Sequence, residues 1–201
     1  MKKLIVALVL LAVAILPLGC GGGKTVTRLD TNTVTDLSGN WNDTDSRLVA
    51  EEMVSDALSR DWLTDYLQAT GNKPVVTVGT IRNLTNEHIA METFIADFER
   101  ELINSSKVRF VANPDQRAEI RAERQEQQEF ATRETAKKLR AETGADFMLQ
   151  GAIKTITDEE GNARVAFYQT DLELINIESM EKVWIGTKKI KKGISQGGTK
   201  F

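Results

Sequence analysis

Residues Phe147–Ile190, FMLQGAIKTITDEEGNARVAFYQTDLELINIESMEKVWIGTKKI, decide the fold. Phe147–Ile156 is a mostly apolar run of strand length. The cluster Asp158-Glu159-Glu160-Gly161-Asn162 is turn chemistry and sends the chain back into Val165–Ile177, where Leu172 and Leu174 alternate with Asp171 and Glu173. A second tight turn, Glu178–Glu181, leads to a last strand over Val183–Ile190. Short turns between strands imply an antiparallel meander. Residues 193–201 read as a loose tail.

Upstream, the period changes. Asn42 or Asp43 is a helix N-cap, and Leu48, Val49, Met53, Val54, Ala57 and Leu58 follow it at helical spacing. Trp62, Leu63, Tyr66 and Leu67 form a further short helix running up to Gly71. Pro74 opens a strand over Val75–Ile81. Met91, Phe94, Ile95, Phe98 and Leu102 share one helix face, and Val108–Val111 is a short strand. Strand, helix and strand imply parallel pairing, so the expected fold is α/β. It is a mixed four- to five-stranded sheet covered by helices, with its first strands parallel and its last three antiparallel. One domain, residues 42–192, accounts for it.

Asp115–Gln128 is polar on every side. Arg117, Arg121 and Arg124 fall on one stripe, with Glu119, Glu123 and Glu126 roughly opposite. A solvated helix is the preferred reading, since runs of charge are usually that, and a partner-binding basic stripe is the alternative. A helix over Arg133–Glu142 should close at Gly144 in a left-handed cap.

The N-terminus is of another kind. Lys2 and Lys3 precede an apolar run, Leu4–Leu18, too short to span a bilayer and fitted to a signal peptide over residues 1–19. Cys20 follows directly and is the only cysteine, so no disulfide is possible and the thiol is the expected point of lipid attachment. Leu16-Pro17-Leu18-Gly19-Cys20 resembles a lipobox, with Pro17 and Leu18 departing from its usual residues. Gly21, rather than Asp, then implies sorting to the outer membrane, facing the periplasm. Residues 20–41 read as a flexible linker rich in Gly, Thr, Asn and Asp. Gly23-Lys24-Thr25 is no phosphate-binding loop, because Leu18 stands where that motif needs its first glycine.

The formal net charge of −3 becomes −5 without Lys2 and Lys3, so no basic excess points to nucleic acid. His88 is the only histidine, which leaves little material for a histidine metal site or a Ser-His-Asp triad. No metal and no cofactor are expected, and the chain reads as a non-enzyme. Asn83 and Thr85 lie where a strand hands over to a helix. They either line a ligand rim or cap that helix, and capping is the preferred reading. Of the tryptophans, Trp184 belongs to the core, while Trp41, at the linker junction, joins Arg117, Arg121 and Arg124 as a candidate partner contact.

Two segments carry a resemblance. Val78–Thr85 with Asn86-Glu87-His88-Ile89, and Gly144–Gly151 with Asp171–Asn176 and Val183-Trp184, are similar to the LpoB family. These lipoproteins activate class A penicillin-binding proteins. The resemblance covers roughly residues 40–192 and implies a domain like the N-terminal module of TolB, also seen in CsgG-type lipoproteins. It implies an outer-membrane lipoprotein that binds a peptidoglycan synthase and activates it. The alternative is a CsgG-like structural or secretion-assembly component. The chain departs from the family in its short, proline-free linker and in Ser179-Met180, where relatives carry a Thr-Gly turn.

Overall fold

Asn42 begins the folded helices. Its side chain accepts from the Asp45 N–H at 3.1 Å while Asp45 Oδ2 accepts from the Asn42 N–H at 2.9 Å, a reciprocal capping box. In the computed structural model, which describes residues 25–131 and 142–195, this cap opens α1, Asp43–Ala57. Helix α2, Asp61–Thr70, ends at Gly71, whose φ of 68° is the left-handed cap that its position predicts. Strand β1 is Val75–Leu84, α3 is Met91–Asn104, β2 is Arg109–Phe110 and α4 is Pro114–Phe130. Strands β3, Phe147–Glu160, β4, Ala163–Asn176, and β5, Lys182–Ser195, form the meander.

The five strands form one sheet in the order β2-β1-β3-β4-β5. β1 pairs in parallel with β2 and β3, and β3–β4 and β4–β5 are antiparallel, as the connection lengths imply. Among the described residues, helices cover one face only. Val76, Val78, Phe147, Leu149, Ile153, Leu172, Leu174 and Trp184 point to it and pack with Val49, Met53, Phe94, Phe98 and Leu102. Leu48, which falls within the apolar spacing of α1, is 41% exposed instead.

The meander is longer than the apolar alternation suggests. β3 continues through Asp158-Glu159-Glu160, and the turn is confined to Gly161, at φ 58°, and Asn162. The three acidic residues can stay in register because their side chains are exposed on both faces. β5 runs to Ser195, past the expected end of the domain at residue 192. Gly144 does not adopt the left-handed conformation expected of it. The signal peptide, Cys20, most of the Arg133–Glu142 helix and residues 196–201 lie outside the described residues.

The chain divides after Thr33 into two units. In the first, Asp30 accepts from the Thr33 N–H at 3.0 Å and, through Oδ1, from the Asn32 N–H at 2.8 Å. The second begins at Val34. Residues 34–41, read from sequence as the end of a linker, are therefore part of the folded unit.

Candidate partner-binding surface

Strand alternation puts every second residue of the sheet on the face without helices. The register aligns Arg82, Ala152, Asp171 and Thr187 in one row and Leu84, Lys154, Gln169 and Lys189 in the next. Ile156, Phe167 and Lys191 make a third. Leu84, Ile156 and Ile185 are 52%, 68% and 69% exposed. A shallow depression lies among Arg82, Leu84, Ala152, Lys154, Asp171 and Ile185.

The carboxylates of this face are satisfied from within. Asp171 accepts from Lys154 Nζ at 3.0 Å, and from Gln169 Nε2 and Thr187 Oγ1 at 2.8 Å each. Partial burial opposes its ionisation, but the hydrogen bonds from Lys154, Thr187 and Gln169 outweigh it and hold the carboxyl below its ordinary value. Glu173 is likewise held low, chiefly by Lys182 and then by Gln150, which donates at 2.9 Å. Arg82, Lys189 and Lys191 have no such partner among the described residues. The face thus offers three cations without a carboxylate partner around an apolar centre, with Asp158 and Glu160 exposed beyond them toward the β3–β4 turn.

The end of the sheet is closed by the N-terminal arm. Trp41 meets Phe94 and Tyr168 edge to face, at centroid distances of 5.7 and 5.5 Å, and its Nε1 donates to Ser46 Oγ at 2.8 Å. Trp41 is therefore half-buried and packed against the core. Behind it, the Tyr168 hydroxyl donates to Glu87 Oε1 at 2.5 Å and the Trp41 N–H to Glu87 Oε2 at 2.9 Å. Burial first, then Glu87, raises the pKa of the Tyr168 hydroxyl. Lys192 Nζ is buried among Asp36 Oδ1 at 2.7 Å, Asp45 Oδ2 at 2.6 Å and the Asn40 carbonyl at 3.0 Å.

Asn83 and Thr85 serve this closure. Asn83 Nδ2 donates to the Glu87 carbonyl at 2.8 Å, Asn83 Oδ1 accepts from the Thr85 N–H at 2.9 Å, and Thr85 Oγ1 accepts from the Glu87 N–H at 3.1 Å. They fold the β1–α3 connection and aim Glu87 inward. Neither caps α3, whose N-cap is Ala90 without a side-chain bond.

Arg117, Arg121 and Arg124 lie on α4, which buries no residue, in keeping with a solvated helix. Arg121 is not open. Its Nε and Nη2 grip Glu142 at 2.6 and 2.8 Å, and Arg121 first, with Arg117 and Arg124 adding, holds that carboxyl low. The sequence reading missed Arg82, Lys189 and Lys191. The only signal was the Lys188–Lys192 cluster at the end of the apolar alternation, which holds Lys189 and Lys191, and Arg82 had none. It also missed Lys192, Glu87 and Tyr168, whose contacts are distant in sequence. Among the described residues no group of His, Cys, Asp or Glu could hold a metal, and no helix is long and apolar enough to cross a membrane.

The family model of the peptidoglycan-synthase activator LpoB matches residues 45–190. No curated protein matches the sequence. Among solved structures, the chain is similar to the LpoB C-terminal domain from Escherichia coli, at 17% identity and TM-score 0.44, covering 74% of this chain and 99% of that one. It is also similar to E. coli LpoB solved by NMR, at 16% identity and TM-score 0.40, covering 90% and 86%. Lipoprotein GNA1162 from Neisseria meningitidis follows at 13% identity and TM-score 0.39, covering 64% and 88%.

Proposed function

The chain belongs to the peptidoglycan-synthase activator LpoB family, and from that premise we propose that it is a non-enzymatic lipoprotein that binds a class A penicillin-binding protein and raises its activity. Cys20 anchors it to the outer membrane, and the domain faces the periplasm. The family match, which runs from the first turn of α1 to Ile190 on β5, is the observation that carries this reading.

Activation requires that the domain bind the active conformation of the synthase more tightly than the inactive one. A tenfold preference corresponds to about 1.4 kcal/mol, and a partner with equal affinity for both states shifts nothing. The division after Thr33 also sets the reach. A tether from Cys20 to Thr33 extends at most about 45 Å, at roughly 3.3 Å per residue. The synthase would therefore present its binding site within that distance plus the span of the folded domain from the anchoring membrane.

The test is a glycan-polymerisation assay with a purified class A penicillin-binding protein and the lipid-free chain. A rise in rate is the expected outcome, and binding without any change in rate removes the activator role. Cys20→Ala tests the anchor separately: it should release the protein from the membrane fraction and abolish the acyl mass on the N-terminal peptide.

A further inference from the structure

The helical side and the open side of the sheet differ in charge. Exposed carboxylates without a basic partner among the described residues, such as Asp61, Glu92 and Glu101, lie on the helices, and the outer face carries two more, Asp158 and Glu160, only at its β3–β4 turn end. On the sheet's outer face both central carboxylates are neutralised internally, and Arg82, Lys189 and Lys191 are left over. In a chain of net charge −3, unneutralised cations gathered on one face run against the overall sign. They also flank the exposed apolar side chains of Leu84, Ile156 and Ile185.

Size fits a docking surface. Three strands of 14 residues make a face about 45 Å long and about 15 Å wide, at roughly 3.3 Å per residue and roughly 4.8 Å between strands. One side of a standard protein interface needs about 800 Å², which the neighbouring part of β1 brings within reach. Arg121, by contrast, has its fork occupied by Glu142, so the stripe on α4 has less to offer an incoming acid.

We infer that the outer face of β1, β3, β4 and β5 is the docking surface of this domain, and that its occupant presents acidic groups around an apolar centre. The inference rests on the activator reading, in which the occupant is the periplasmic region of a class A penicillin-binding protein. Ile156 and Ile185 supply the apolar contact. Arg82, Lys189 and Lys191 supply steering and orientation, which makes association sensitive to salt.

The experiment measures binding of the purified periplasmic region of that synthase to the full lipid-free chain at low and high salt. The chain is compared with R82E/K189E/K191E, I156A/I185A and R117E/R121E/R124E, each checked by thermal melting. The expected result is at least tenfold weaker binding by the first variant, with loss of the salt dependence. The second should bind more weakly with its salt dependence kept, and the third should bind nearly as the unaltered chain does. Undiminished binding by both outer-face variants overturns the surface and leaves the activator reading in place. No binding by the unaltered chain overturns the activator reading, and the assigned occupant with it. Self-association of the unaltered chain that R82E/K189E/K191E abolishes makes the occupant a second copy and also overturns the assignment.

Discussion

Lys192 Nζ lies 2.6 Å from Asp45 Oδ2, joining the end of the last strand to the first turn of the first helix across 147 residues. Both side chains are almost wholly buried, at 8% and 6% exposure, and Asp36 from the N-terminal arm completes the group. The pair closes the domain at the point where the arm enters.

Removing only the cation leaves a buried carboxylate without its counter-charge, a change that costs about 3 kcal/mol or more. Lys192→Met should therefore lower the unfolding free energy by about that much in urea titrations. Lys192→Met combined with Asp45→Asn should recover a large part of the loss. Equal stabilities for the two variants would show that the ion pair is not what closes the domain.

Trp41 fills the space between Phe94 and Tyr168, so Trp41→Ala should cost about 2–3 kcal/mol, less than a fully buried tryptophan. The same change should speed hydrogen exchange along residues 36–41 and at the neighbouring end of β5. A flexible linker would show neither effect. Gly39 sets a further limit: its φ is 73° and an added Cβ would meet Ile194 at 2.2 Å, so Gly39→Ala should loosen the same segment.

Stability should fall at both ends of the pH range. The pKa of Tyr168 is raised from 10.0, by burial first and then by Glu87, and that of Lys192 from 10.5, where Asp36 and Asp45 overcome the opposing effect of burial. A group whose folded pKa is raised contributes fully below its unfolded value, and the contribution is lost as pH rises through the folded one. The alkaline limb should thus begin near pH 10, and Tyr168→Phe should flatten it. Asp171 and Glu173 are lowered from 3.8 and 4.5, so their contribution is present above those values and lost as pH falls through the folded ones. Asp171→Asn should flatten that acid limb, as read by urea midpoints across pH.

Met180 occupies a left-handed conformation, with φ 62°, in the β4–β5 turn that Asn176 Oδ1 supports through the Glu178 and Ser179 N–H groups. Its side chain is 76% exposed, so little packing offsets the backbone cost. Met180→Gly should raise stability by about 0.5–1 kcal/mol, the left-handed penalty less the greater freedom of an unfolded glycine. A lower melting temperature would contradict this account of the turn.

Sequence by itself determined the elements, their order and the parallel-to-antiparallel change. Periods of 3.6 and 2, the cap at Asn42, the glycine at Gly71 and the lengths of the connections are local properties, and local backbone preference carries them into the fold. It also carried the family resemblance, which the match over residues 45–190 confirms. Tertiary structure alone decided how Lys192, Trp41, Asn83 and Thr85 are used. Lys192 stands among lysines that a strand edge would carry in any case, and only Asp36 and Asp45, brought close by folding, make it a buried cation. It likewise decided which strand cations stay unpaired, because Lys154 and Lys182 are neutralised across strands while Lys189 and Lys191 meet no acid among the described residues. A side chain's charge is written in the sequence, but its counter-charge is set by through-space neighbours that leave no local pattern.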